Sequence, residues 1–181
     1  MEPNYTNIEQ LIGGLKHEDA RNLRISKIFQ GLMAVMTPLY FIFFLIILIS
    51  DGQPLKSLGF LFFSLGFLTF AIIFRKLYKE YKSIDYGVPT IEMLSKAAKR
   101  YEFWQRKTRL VLIPAILVSI GVGFSLQDAL PFPDIKQRFL VIVIGYMITL
   151  FFAFMVGYWK WRVRQKPLRD KALALLKEIE G

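Results

Sequence analysis

The sequence contains no cysteine and only one histidine, His17. Without cysteine the chain has no internal disulfide, thiol nucleophile or cysteine-based zinc or iron–sulfur site, and one histidine leaves little for a metal ion. His17 stands beside Glu18 and Asp19, but consecutive residues do not face one another on a helix, so we expect a solvated surface histidine. We therefore expect no redox function, no metal site and no cofactor.

Charge is absent from four long intervals of 23, 18, 18 and 21 residues, in a chain that is 54% apolar and contains 17 phenylalanines. A helix needs about 20 residues to cross a hydrocarbon core about 30 Å thick. A soluble bundle is the alternative, but its helices would each need a polar stripe. The sequence predicts an all-α, polytopic membrane protein of a single domain (1–181), with four transmembrane helices in two hairpins, at about 30–50, 57–75, 109–127 and 138–159.

The basic residues are distributed unequally between the two sides of these predicted spans. Of the 24 lysines and arginines, 21 fall before the first span, between the second and third, or after the fourth. By the positive-inside rule this side is cytoplasmic, so the sequence predicts a multi-pass protein of the cytoplasmic (inner) membrane with both termini cytoplasmic. Residues 1–30 carry both signs of charge and no small-residue cleavage site, so we expect the first span to be retained.

Two parts of the chain resemble each other, which suggests an internal duplication of 6–82 and 89–166. Ile8-Glu9-Gln10-Leu11 recurs as Ile91-Glu92-Met93-Leu94, and each copy precedes a basic stretch and an apolar hairpin. Two copies with an even number of crossings would lie parallel in the membrane. The alternative is that any two membrane hairpins with basic ends look alike.

The predicted spans contain no ionisable acid or base, the usual mark of an ion or proton path. Tyr40 and Tyr146 lie near mid-depth, where they either form a ligand pocket or, as we favour, make hydrogen bonds between helices. Small residues recur every fourth position in the third and fourth spans, a pattern that allows close helix packing. We expect these two stripes to join the two spans, with a homodimer contact as the alternative: Ala115, Ser119, Gly123, Gly145, Thr149, Ala153 and Gly157.

Three segments outside the spans have the apolar periodicity of amphipathic helices. The first starts near residue 6 and is expected to weaken at Gly13-Gly14, the second restarts at Thr90 after a turn at 85–89, and the tail forms a helix at 168–180. Their apolar faces must be covered by the membrane surface, by one another or by a protein partner. The candidate partner-binding residues are Ile8, Leu11, Leu15, Ile91, Leu94, Tyr101, Leu168, Leu175 and Ile179.

No arrangement of residues indicates catalysis, because the serines have no neighbouring base and Gly13-Gly14-Leu15-Lys16 lacks the spacing of a phosphate-binding loop. Nucleic-acid binding is not expected either, since the positive charge follows the predicted bilayer boundary. The sequence thus favours a non-enzymatic protein whose partners are the lipid bilayer and a cytoplasmic protein. A channel or transporter subunit is the alternative.

The order of parts resembles a group of small four-span bacterial membrane proteins that are often encoded beside extracytoplasmic-function sigma factors. The resemblance rests on this architecture and on the central Lys82-Ser83-Ile84-Asp85-Tyr86, followed by Thr90 to Trp104. It implies a membrane-tethered, anti-sigma-like regulator whose cytoplasmic helices hold a partner. It implies no particular functional residues.

Overall fold

The computed structural model describes residues 5–50, 52–105, 109–126 and 134–180. Every regular element in these ranges is a helix, as the sequence predicts. The elements are α1 (Tyr5–Ser50), α2 (Pro54–Lys82), α3 (Thr90–Arg100), α4 (Leu112–Ser125), α5 (Ile135–Lys160), a π-helical turn (Trp161–Gln165) and α6 (Lys166–Glu180).

Three helical stretches are long and apolar enough to span a membrane: Ile8–Ser50, Pro54–Lys82 and Lys136–Ile179. The fourth apolar helix, α4, has 14 residues, which at 1.5 Å per residue gives a length of about 21 Å. Helix is also present at 109–110, before α4, while residue 127 of the predicted third span lies outside the described residues. The chain is therefore helical with several membrane-spanning candidates.

The apolar helices follow one another in a row, because α1 packs along α2, α2 along α4, and α4 against α5. In both Ile8–Ser50 and Lys136–Ile179, no residue of the most apolar 18-residue window is buried. Phe152 is 64% exposed and Ile49 is 81% exposed. Apolar exposure on this scale suits a lipid environment and does not suit the soluble bundle considered above.

Helix α1 runs for 46 residues without interruption, through Gly13 and Gly14. The expected weakening at this pair is therefore not observed. A Cβ atom at Gly14 would lie 3.0 Å from the Leu168 side chain, whereas one at Gly13 would meet nothing within 4 Å. The glycine thus allows α6 to approach α1 closely, and this packing offsets the low helix propensity of the pair.

The three amphipathic segments cover one another. We call residues 8–27, 83–105 and 161–179 the helical layer; in it α3 packs against α6, and α6 packs against α1. The predicted end of helix at Lys82 and restart at Thr90 are observed. The tail helix begins at Lys166 rather than 168, and it runs on without a break from α5 and the π-helical turn, so Pro167 lies inside a continuous helical stretch.

The predicted duplication is only partly visible in these elements. Leu11 and Leu94, which occupy equivalent positions in the two copies, are both buried in the helical layer. The first copy has a single continuous helix where the second has two, α3 and α4. The duplication stays a prediction.

Candidate functional site

Most of the residues predicted to bind a partner form one apolar cluster inside the helical layer. Leu15 and Leu94 are fully buried and Tyr101 is 1% exposed. Ile91 is 46% exposed, and Ile8 is partly buried. The cluster therefore brings together seven of the nine candidates: Leu11, Leu15, Leu94, Tyr101, Leu168, Leu175 and Ile179.

A buried carboxylate, Asp19, lies beside this cluster and is only 4% exposed. Its Oδ2 accepts a hydrogen bond of 2.6 Å from the Tyr86 hydroxyl, and its Oδ1 accepts one of 2.7 Å from the Tyr101 hydroxyl. The Arg100 guanidinium donates to the same carboxylate and forms an ion pair with it. We call these four residues the Asp19 junction; it ties α1 to the segment that carries α3.

The junction meets the requirement for a buried charge, which is costly unless it is paired and hydrogen-bonded. The Asp19 carboxylate has one cation and two hydroxyl donors. Burial raises the pKa of Tyr101, and the negative charge of Asp19 raises it further. Burial also raises the pKa of Tyr86, as does its hydrogen bond to Asp19. Both phenols are thus held in the protonated form that donates to the carboxylate.

These tyrosines predict a loss of stability at alkaline pH. Their pKa values in the folded state lie above the unfolded value of about 10, so their contribution is complete below about pH 10 and is lost as the pH rises further. A Tyr86→Phe plus Tyr101→Phe variant should show a shallower decline in thermal unfolding temperature between about pH 10 and pH 12. An identical slope in both proteins would contradict the assignment, since lysine titration is common to both.

A second buried carboxylate, Glu18, joins α1 to the π-helical turn. It is 5% exposed, lies 2.9 Å from the Arg21 guanidinium and accepts a hydrogen bond of 3.3 Å from Gln165 Nε2. The Trp161 indole N–H donates to the Tyr101 carbonyl oxygen at 2.9 Å. These contacts fix the π-helical turn against both α1 and the segment after α3.

The chemistry of the junction is that of a structural tie, because its carboxylate, phenols and guanidinium are engaged with one another. In the parts of the chain that the structure describes, no group of three or more histidine, cysteine, aspartate or glutamate residues could hold a metal ion. His17 is exposed, as expected.

The sequence interpretation missed Asp19 and Glu18 as buried residues. One signal was available: Asp19 lies four residues after Leu15 and eight after Leu11, on the apolar stripe of the helix. A carboxylate on such a stripe needs a donor elsewhere in the fold. The sequence alone does not say which of the many arginines and tyrosines provides it.

The small-residue stripes of the predicted third and fourth spans do not meet each other. Ala115, Ser119 and Gly123 are buried on α4, and the added Cβ of Gly123 would clash with the Phe139 ring of α5. On α5, however, Gly145 and Gly157 have no neighbouring atom within 4 Å of such a Cβ. Thr149 and Ala153 are exposed as well. The expected joining of the two stripes is therefore wrong within one chain, and the homodimer alternative stays a prediction.

The close backbone contact lies instead between α2 and α4, and involves Gly59 and Gly121. A Cβ on either glycine would come within 2.9 Å of the carbonyl oxygen of the other. Tyr40 packs among phenylalanine rings of α2, with centroid distances of 5.1 Å to both Phe63 and Phe67. Tyr146 belongs to α5, which packs against α4. The two tyrosines therefore lie on different helix pairs.

Comparison with family models, curated proteins and solved structures gave no match. The resemblance to small bacterial membrane proteins stays a prediction, and the geometry described above is the basis for function.

Proposed function

We propose that this chain is a non-enzymatic, multi-pass protein of the cytoplasmic membrane whose helical layer is a platform for regulation or assembly. One observation supports this most directly. Three segments that are separated by apolar helices in the sequence converge into a single folded unit, with its own apolar cluster and its own polar junction. Short loops would be enough to connect four helices, so a folded unit of this kind exceeds what the connections require.

The proposed topology has four spans with both termini and the helical layer in the cytoplasm. Three stretches have sufficient length and apolarity. The shorter α4 lies against α2, and a short apolar helix is accommodated by local thinning of the bilayer. The concentration of basic residues at the helical layer supports the orientation.

Cysteine labelling tests this topology, since the chain has no native cysteine. In intact cells an impermeant thiol reagent should label Gln53→Cys and Pro133→Cys, and should leave Ser83→Cys and Lys177→Cys unlabelled until the cells are opened. The reverse pattern would overturn the orientation. Labelling of Gln53→Cys without Pro133→Cys would overturn the fourth span.

The proposed protein partner binds the outer surface of the layer, because the inner apolar faces already cover one another. Ile91 is 46% exposed and Leu173 is 37% exposed. Each is an exposed apolar side chain at the edge of the buried face of its helix. An anti-sigma-like role belongs within this proposal, with the layer holding or releasing a soluble regulator.

Photo-crosslinking from the surface of the layer tests the partner. A photoreactive amino acid at Ile91 or Leu173 should give one discrete protein adduct in cells, identifiable by mass spectrometry and several-fold above background. The same amino acid at Leu140, an exposed apolar residue on α5, is the matched control and should react with lipid only. Protein adducts from Leu140 and from neither Ile91 nor Leu173 would indicate that the functional surface lies in the membrane, as a channel or transporter subunit requires.

A further inference from the structure

Two neighbouring cavities form a groove along α1, and the first of them also borders the π-helical turn. The first, of about 390 Å³, is lined by Gly14, His17, Glu18, Arg21, Arg164 and Leu168. The second, of about 300 Å³, is lined by His17, Ala20, Arg21 and Arg24. Because His17 and Arg21 line both, the two cavities are neighbours, and three arginines from two distant parts of the chain border them.

The charges around this groove do not cancel. Glu18 faces it, but its carboxylate is already paired with Arg21 at 2.9 Å and accepts a hydrogen bond from Gln165. Arg24 and Arg164 are exposed. The groove therefore keeps an excess of positive charge after its one acid is neutralised.

Arg21 is oriented by its ion pair yet has hydrogen-bonding capacity left. Its Nη2 contacts Glu18 at 2.9 Å, and its side chain remains 27% exposed, so a ligand in the groove can reach it. An arginine fork held in one orientation suits the planar, bidentate recognition of a phosphate group. The facing Arg164 lies in a π-helical turn, an irregularity that is frequent at functional sites.

The groove also lies close to the predicted bilayer surface. Arg24 precedes the first charge-free interval by four residues, and Arg164 follows the end of the fourth by a similar number. On a helix this places both side chains within about one turn of the apolar boundary, at the depth of lipid headgroups. A phosphate there can belong to a lipid or to a soluble molecule.

We propose that this groove is a phosphate-binding site in which Arg21, Arg24 and Arg164 hold a phosphate group at the membrane surface. The proposal rests on the proposed function for the position of the groove beside the bilayer. It requires no protein partner, so a failed crosslinking experiment leaves it intact.

Native mass spectrometry of the purified full chain in neutral detergent tests the site. The probes are phosphatidylglycerol, diacylglycerol with the same acyl chains but no phosphate, and inorganic phosphate. Wild-type protein should bind phosphatidylglycerol and not diacylglycerol. Arg24→Gln plus Arg164→Gln removes two exposed cations without breaking a described ion pair, and should weaken phosphatidylglycerol binding about tenfold or more.

The matched control is Lys76→Gln plus Lys79→Gln, which removes the same charge from exposed positions near the end of α2. It should bind phosphatidylglycerol nearly as well as wild type. Equal losses in the two double variants, or no loss in the arginine variant, would overturn the site. If wild type binds millimolar inorganic phosphate but not phosphatidylglycerol, and the arginine variant binds neither, the phosphate site stands and a lipid source is overturned.

Discussion

Replacing Asp19 with alanine should unfold the helical layer while leaving the apolar helices formed. The substitution leaves the Arg100 guanidinium and two phenol hydroxyls in a buried site without their acceptor. Removing one partner of a buried ion pair costs about 3–5 kcal/mol. Thermal unfolding in detergent should show the loss, and limited trypsin digestion should cleave within α3, at Lys96 or Lys99, before the apolar helices are attacked.

The control for Asp19→Ala is Glu92→Gln, which also removes a carboxylate from an ion pair in the layer. Glu92 pairs with Lys96 at 2.7 Å, but both side chains are at least half exposed. Exposed pairs of this spacing contribute about 0.3–0.5 kcal/mol. Similar, small effects of the two substitutions would show that the Asp19 junction does not hold the layer together.

The Asp19 junction also connects stability with the proposed function. It joins the N-terminal part of α1 to the segment that follows α2. The C-terminal part of the same α1 helix forms the first predicted span. A partner that bound only the open layer would have to break these contacts, so its binding would be coupled to a local unfolding step. Asp19→Ala should then increase the yield of the Ile91 adduct if the partner binds the open form, and reduce it if the partner binds the closed form.

Local patterns in the sequence predicted the helical elements closely, because hydrophobic runs and turn residues act over a few positions. The end of α2 at Lys82 and the start of α3 at Thr90 are examples. The apolar faces of the layer were predicted as well, with Leu15 and Leu94 among them. Which faces meet was left open, since periodicity describes one helix at a time and contains no information about its neighbour.

The errors have the same physical origin. Gly13-Gly14 has low helix propensity, but contact between Gly14 and Leu168 keeps α1 continuous. The stripe from Gly145 to Gly157 has the composition of a helix contact, yet among the described residues no atom lies within 4 Å of a Cβ added at either glycine. The burial of Asp19 was missed because its donors lie 67 to 82 residues later in the chain. In each case a distant segment determined the outcome.

The second large effect is expected at Gly59, where α2 packs closely against the backbone of α4. A Cβ there would lie 2.8 Å from the Ser125 backbone nitrogen and 2.9 Å from the Gly121 carbonyl oxygen. Backbone atoms cannot rotate away as a side chain can, so Gly59→Val must push the two helices apart. Overpacking of this kind costs about 1–3 kcal/mol, and contact with backbone favours the upper end.

The same substitution at Gly145 is the matched control, because that glycine also lies in an apolar helix but has no atom within 4 Å of its added Cβ. Gly59→Val should lower the thermal unfolding temperature in detergent substantially, and Gly145→Val should leave it nearly unchanged. If the small residues of α5 formed the main helix contact, Gly145→Val would lower the unfolding temperature more than Gly59→Val. A loss at Gly145 that appeared only at protein concentrations where the wild type is dimeric would instead support the homodimer, since a second copy is then what the new side chain displaces.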